Sequence, residues 1–497
     1  MRQRFEQQLS LNVFPIVEVE FPRKDRHQLT RLLKGLHYLF THKELSEKVF
    51  SILEDKIVGD KKSTGRLGMS LWEILVLSCV KLNLNVDYDF LLDQANYHNL
   101  LRAMLGVALR DGSQGKVYQL QTVIDNVDLL DVATLDKINQ VVVEAGHQVV
   151  KKNLAIEASS HLSLHIRGDS YVLESDVSFP TDLKLLGASG RKILDLLLKL
   201  ESLSGHRQLK ALNKKWNKAF RTSSEIHRKK GKNYWERLVK SVDSYLKVAR
   251  RIVDKSEQTL STLLAATTLD KKIILLLKEQ QVFLQHLTKH IDLVERRILK
   301  GETIPHSEKI FSIFEEHVEW ISKGKAGKPV ELGHRHLIYS DQYNFILHQK
   351  VLVGQTDKEV GLEQGKKIAQ LYGTSCYVFA SLSYDRGFYS LPAKKELSKI
   401  YNRVIMPKPG KKTRAEQQEE SEKEYIALRH KHSGVEANIN SLEHTGLGKC
   451  RNKGLDKFKN YAALGVVAHN IGNLGKWLLL LEKQEKNSIK KKPKKAA

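Results

Sequence analysis

Cysteine is scarce in this chain. Cys79, Cys376 and Cys450 are the full set, odd in number, far apart and without a CxxC spacing. Such a set excludes a disulfide framework and a cysteine-based zinc site, and suits a reducing cytoplasm. Long apolar runs are missing too. The richest stretch, Leu464 to Leu481, is broken by His469, Asn470, Asn473 and Lys476. That is too polar for a membrane span, so no membrane partner is expected. The opening Met1-Arg-Gln-Arg-Phe-Glu-Gln-Gln lacks the apolar centre of a secretory signal. Acidic charge is in deficit: 57 Asp and Glu stand against 82 Lys and Arg, a net charge of +25. The excess calls for a polyanionic partner, with nucleic acid the first candidate. The 497 residues are enough for roughly two to four domains with their own cores.

What is present changes character along the chain. Pro15 and Pro22 interrupt an irregular lead, and helical spacing then takes over. Leu29, Leu32, Leu33 and Leu36 repeat at three and four, as do Leu71, Ile74, Leu75, Ser78 and Cys79, with Ser70 and Glu73 placed as a capping box. Residues 1–150 are expected to form an all-helical N-terminal domain for DNA binding or dimerisation. Leu162-Ser-Leu-His-Ile-Arg-Gly-Asp169 then alternates with period two, the mark of a half-buried strand. A turn is expected at Phe179-Pro180-Thr-Asp182.

From 185 to about 328 the pattern is again helical, with runs at Ile193–Leu203, Trp216–Leu263, Lys271–Leu299 and Ile310–Ile321. This is too long for a loop and is expected to be an inserted helical subdomain. Residues 205–251 hold fifteen Lys or Arg against three acids, interleaved with Trp216, Phe220, Tyr234, Trp235 and Tyr245. Basic side chains neutralise phosphates and aromatic rings stack on bases, so Lys214, Lys215, Trp216, Arg228, Lys229 and Lys230 are the candidate DNA contacts. The bland alternative is a solvated basic face with its aromatics in the core.

Strand patterning returns at His336–Ser340 and Asn344–Val353 around a hairpin loop at Asp341-Gln-Tyr-Asn, then at Cys376–Leu382 and Tyr401–Met406. Helices are expected at Lys358–Tyr372, from Ser390 with Pro392 in the first turn, around Glu436 and over Tyr461–Leu480. The last stretch, 484–497, is lysine-rich and expected to be a disordered DNA-binding arm. Without the insertion (160–184 and 329–483), the order of strands and helices is that of an α/β domain with a mixed sheet, consistent with a ribonuclease-H-like fold.

Three acids in this core invite chemistry. Asp169 lies in a strand where a carboxylate is costly unless a cation meets it. Asp385 leaves a buried strand at a Gly-bearing turn, where side chains enter the crevice of an open sheet. A turn Asp capping its own backbone is the simpler reading. Glu436 closes Ser433-Gly-Val-Glu436, which a helix capping box explains equally well. Glu443 competes with Glu436, and Glu174, Asp176 and Asp182 compete with Asp169. His334-Arg-His336 and His430-Lys-His432 match no common zinc spacing and are expected to face solvent or DNA.

Three local motifs nevertheless resemble bacterial insertion-sequence DDE transposases, specifically the ISNCY ("not classified yet") group. The first is Asp169-Ser-Tyr-Val-Leu-Glu-Ser-Asp-Val-Ser-Phe-Pro-Thr-Asp182-Leu-Lys-Leu-Leu186. It is similar to that group's first-aspartate block. Tyr384-Asp385-Arg-Gly-Phe-Tyr389 resembles the second-aspartate block. Arg429-His-Lys-His-Ser-Gly-Val-Glu436-Ala-Asn-Ile-Asn, followed by Gly446-Leu-Gly-Lys-Cys-Arg451, resembles the glutamate helix and the basic stretch after it. Gly65-Arg-Leu-Gly-Met-Ser-Leu-Trp-Glu-Ile-Leu-Val-Leu77 resembles the group's helical leader.

The resemblance implies Asp169, Asp385 and Glu436 as catalytic residues and as ligands of two Mg2+ (or Mn2+) ions. It also implies cleavage of double-stranded DNA at terminal inverted repeats, strand transfer into target DNA and a homodimer in the synaptic complex. The setting would be the bacterial cytoplasm at the nucleoid. A Tyr-x2-Arg-x3-Glu-x6-Lys signature of related transposases is not kept: its positions here are Arg429, His432, Glu436 and Glu443, and Lys449 and Arg451 are the possible substitutes. A structure-selective ribonuclease-H-like nuclease and a domesticated, non-catalytic DNA-binding protein are the alternatives.

Overall fold

The computed structural model describes residues 2–5, 13–22, 27–59, 67–109, 115–157, 159–204, 209–265, 270–322, 329–373 and 376–491. Its chain forms two compact units, Met1–Asp176 with Ile321–Ala497, and Val177–Trp320.

The first unit is built on a mixed, open sheet of seven strands: β1 Leu162–Ser175, β2 Glu319–Ser322, β3 Val330–Ser340, β4 Ile346–Leu352, β5 Tyr377–Tyr384, β6 Arg403–Ile405 and β7 Lys449–Cys450. β1 is central. It pairs antiparallel with β3 and parallel with β5; β4 continues antiparallel from β3, and β6 parallel from β5. β7 adds a short parallel pairing at the far end of β1.

The hairpin turn between β3 and β4 follows from Asp341. Its carboxylate accepts the backbone N–H groups of Tyr343 at 2.8 Å and Phe345 at 3.0 Å, while Asn344 takes a left-handed φ of 65°. The Asp341 carboxylate also meets His147 Nε2 at 2.6 Å, both residues being buried.

The amino-terminal helices are not a body apart. Gln28–Thr41, Lys43–Ile57, Leu71–Asn83 and Val132–Asn153 share one apolar core with the sheet and the carboxy-terminal helix Leu455–Lys491. The reason is visible in Leu71–Asn83, capped by the expected Ser70–Glu73 box and buried at every residue. A helix that is apolar all round must be enclosed. The same long carboxy-terminal helix runs on to Lys491, into the expected disordered arm; residues 492–497 lie outside the described residues.

The second unit is helical: Asp182–Ser204, Leu209–Lys229, Tyr234–Leu264 and Lys271–Val294, the last extended by a π-helical turn, Glu295–Leu299. The inserted segment is thus Val177–Trp320 rather than 185–328. Two expectations change inside it. The single run Trp216–Leu263 is two helices, separated where Lys230, Gly231 and Asn233 take positive φ. Ile310–Ile321 is not a helix. The Ser312 hydroxyl accepts the Glu315 N–H at 3.0 Å, a local turn that competes with helix, and the segment ends in β2.

Candidate active site

The alternation of β1 sets Leu164, Ile166 and Gly168 on one face, and His165, Arg167 and Asp169 on the other. Gly168 is required: a Cβ there would lie 2.5 Å from the Tyr339 ring and 2.7 Å from the Tyr384 ring. Those tyrosines hydrogen-bond to each other at 3.0 Å, and the Tyr384 hydroxyl donates to Gly361 O at 2.8 Å. The tight pair locks the register between β1 and β5, in which Arg167 is opposite Ser383 and Gly168 opposite Tyr384. One step further along is Asp169 on β1, while β5 has ended at Tyr384 and Asp385 begins the turn after it; the charge of Asp385 acts on Asp169.

Each aspartate is held by one oxygen. Asp169 Oδ1 accepts from Ser170 N at 2.7 Å, and Asp385 Oδ1 from Gly387 N at 2.8 Å. Asp385 therefore does perform the simple capping role, while its charge also acts on Asp169. Burial pushes the Asp169 carboxyl up to about 7, and the charges of Asp385, Asp357 and Glu436 add to the shift. Three acids from distant parts of the sequence thus act on one carboxyl.

Asp357 is the member that sequence reasoning missed. It opens the helix Asp357–Tyr372 behind a Thr356–Glu359 capping box. An acid in a first helical turn is so common that nothing set this one apart. Its carboxylate accepts a hydrogen bond from the Ser170 side chain, and burial and Asp385 push it up. Its Oδ1 is buried with no hydrogen-bond partner among the described residues.

Glu436 lies on the helix Gly434–Leu442 and is exposed. The capping box expected at Ser433 does not form: Ser433 is itself helical, and its hydroxyl donates to His430 O at 2.9 Å. The Glu436 carboxylate is therefore not tied to its own helix start. Arg167 lies beneath this helix, where a Cβ on Gly434 would meet its guanidinium. His432 adds a neutral imidazole whose Nδ1 lies 3.0 Å from the Ser383 hydroxyl; burial and Arg167 push it down to about 4.

The competing acids go elsewhere. The charge of Glu443 acts on Tyr171. Glu174 pairs with Lys449 in the sheet, Asp176 forms an ion pair with Lys449 at 2.6 Å, and Asp182 pairs with Arg297 in the helical unit.

Whether this centre suits a divalent cation has two answers. Among the described residues no three His, Cys, Asp or Glu side chains are arranged to hold one ion. The donor chemistry does fit a hard cation: the groups are all carboxylates, they repel one another, and Asp357 Oδ1 is a buried oxygen lacking a partner.

The other sequence candidates separate by burial. Trp216 is not a base-stacking residue. It is fully buried in the helical unit, against Gly190 and 4.5 Å from the Tyr245 ring. Its apolar ring fills that core. Lys214, Lys215, Arg228, Lys229 and Lys230 are exposed, with Lys229 paired to Glu225 at 2.6 Å. Arg451 is exposed in the first unit. His334 and His336, expected to face outward, are buried. The His336 ring is set between the Tyr171 hydroxyl at 3.0 Å and Gln349 Oε1 at 3.1 Å. Among the described residues no helix is long and apolar enough to cross a membrane.

Comparison with known proteins gave no match: no family model, no curated protein and no solved structure corresponds to this chain.

Proposed function

We propose that this chain is a DDE transposase of the insertion-sequence type, cleaving DNA at element ends and joining them to target DNA. The observation that carries the reading is Asp169 on β1 and Asp385 just past the end of the parallel strand β5, with Asp385, Asp357 and Glu436 all acting on the half-buried Asp169 carboxyl. The strand order β4-β3-β1-β5-β6, with its antiparallel hairpin and two parallel additions, supports a ribonuclease-H-like core for that pair.

Asp169, Asp385 and Glu436 would hold Mg2+ or Mn2+, with Asp357 as a fourth carboxylate at hand. A cation so held would polarise the scissile phosphate and offset charge on the attacking and leaving oxygens. Arg167, on the same strand face as Asp169, brings a guanidinium towards the phosphate. In cleavage, a water oxygen bonds to phosphorus, the bond to the 3′ oxygen breaks, and that oxygen leaves as a 3′-hydroxyl. In joining, the 3′-hydroxyl bonds to a target phosphorus and displaces the target's own 3′ oxygen, so no protein nucleophile is needed. The exposed basic side chains of the helical unit and Arg451 would neutralise DNA phosphates.

The test is cleavage and joining of a duplex that carries the sequences flanking the gene, in Mg2+. Asp169→Asn, Asp385→Asn and Glu436→Gln should each reduce both steps by at least about a thousandfold, while Glu443→Gln remains active. Equal activity of Glu436→Gln and wild type would overturn the glutamate assignment. Cleavage without any joined product would make the chain a nuclease instead.

A further inference from the structure

Two helices of the second unit form a seam that carries a line of positive charge. Leu209–Lys229 and Tyr234–Leu264 run antiparallel, joined by the turn at Lys230, Gly231 and Asn233. A hydrogen bond between the Ser223 and Ser241 hydroxyls, at 2.8 Å, sets their register. On the first helix the seam is lined by Lys215, Lys218, Ala219, Thr222 and Ile226; the second repeats the same spacing from Arg237 to Val248. Steps of three, four, seven and eleven residues keep to one helix face. The interior of the unit takes other residues of these helices, among them Trp216, Leu238, Val242 and Tyr245. Between the two stripes lies a groove of about 560 Å3.

Four cations, Lys215, Lys218, Arg237 and Lys240, line this groove and are exposed, and no Asp or Glu is among its described lining residues. The register places the two lysines of the first helix towards one end, and Lys240 and Arg237 towards the other. The charges are therefore strung along the groove rather than gathered at a point. Lys240 meets Glu236 at 3.4 Å, an exposed pair of little worth. Lys215, Lys218 and Arg237 have no ion pair among the described residues, in a unit where Lys192, Lys247, Arg250 and Arg296 each meet a carboxylate.

Four like charges in a row repel one another, and a linear polyanion offsets that repulsion better than a single anion does. The dimensions agree. From Lys215 to Ile226 a helix rises about 16 Å, the axial length of about five successive phosphates on one DNA strand at roughly 3.4 Å each. The floor between the cations is made of short side chains, Ala219, Thr222 and Ser244, so it lies below the lysine and arginine heads and leaves room for a ridge. The lining has no Asn or Gln, the residues that read adenine edges, so its chemistry is that of backbone contact.

We propose that this groove is a track for the phosphate backbone of one strand of duplex DNA, held by Lys215, Lys218, Arg237 and Lys240 without regard to base sequence. The choice of DNA among linear polyanions rests on the transposase reading; the place and the charge pattern do not.

Fluorescence anisotropy of a labelled duplex with the full chain, in EDTA, tests this. Lys218→Gln with Arg237→Gln should weaken binding tenfold or more and flatten the dependence of log K on log salt by about two units, one for each lost contact. Lys278→Gln with Lys289→Gln removes the same charge from exposed positions on the helix Lys271–Val294, and should weaken binding less than threefold. Lys218→Arg with Arg237→Lys should bind as wild type does. The loss in the groove variant should be the same for a duplex with the sequences flanking the gene and for a scrambled one. Equal losses in the two glutamine variants, a loss confined to the flanking sequence, or no duplex binding by wild type would each overturn the proposal. So would poly-glutamate competing as strongly as duplex at equal charge, which would make the groove a site for an acidic polypeptide. Metal is absent throughout, so the track can fail while cleavage stands, and cleavage can fail while the track stands.

Discussion

The Asp169 carboxyl is pushed up to about 7 by burial first and then by the charges of Asp385, Asp357 and Glu436. The sign of the linkage follows. A carboxyl whose folded value is raised stabilises the fold while protonated, and that contribution is lost as pH rises from about 4 through about 7. At pH 8, without divalent cation, Asp169→Asn should therefore melt at a higher temperature than wild type, and the difference should vanish at pH 4. Adding Mg2+ at pH 8 should raise the melting temperature of wild type, by about 2.7 kcal/mol of stability at a hundredfold excess over Kd, and leave Asp169→Asn unmoved. A variant that responds to Mg2+ as wild type does would remove Asp169 from the cation site. The sequence pointed to this residue because an acid breaks the pattern of a core strand. It could not point to Asp357, whose importance comes from a helix start brought against β1 by folding.

At the scale of elements, the β3–β4 hairpin shows how a strand pattern can mislead. In His334-Arg-His336 the polar residues suggested an outward face. Both histidines are buried, because the unit's helices and sheet share one core and cover this part of β3. Burial pushes His336 and His348 down to about 4; His348 Nε2 lies 2.9 Å from Gln364 Oε1. Here the sign is opposite to that of Asp169. A histidine with a depressed folded value contributes its full stability above about 6.5 and loses it as pH falls towards 4, at up to about 1.4 kcal/mol per pH unit. Urea unfolding should show stability falling between pH 6.5 and 4.5, with a shallower fall in a His336→Gln, His348→Gln variant. An unchanged slope would show that these rings do not set the acid limit. The β1 strand, the hairpin turn and the Ser70 cap were all legible from local chemistry. The Ser433 cap failed because Ser433 continues the helical backbone instead of starting it.

In the whole molecule, charge and packing divide the basic helical unit differently from the way its sequence suggested. Trp216 belongs to the interior, and its neighbours Lys214 and Lys215 to the surface. Trp216→Ala should cost about 3–5 kcal/mol of stability. Lys214→Glu with Lys215→Glu should leave the melting temperature unchanged, weaken duplex binding, and flatten the dependence of log K on log salt by roughly one unit for each lost phosphate contact. If the lysine pair has no effect on the salt dependence, the DNA path runs over other cations, such as those around Arg451. The sequence by itself determined the division into a helical insertion and an α/β remainder, because hydrophobic period and charge imbalance are local properties. Asp169, Asp385 and Glu436 were preferred over their acidic neighbours only through the family resemblance, and they stand as a proposal. Only the tertiary structure decided that the first helices share the sheet's core, that Trp216 is enclosed and that Asp357 joins the carboxylates. Burial and pairing depend on residues hundreds of positions apart, and no local pattern encodes which of them meet.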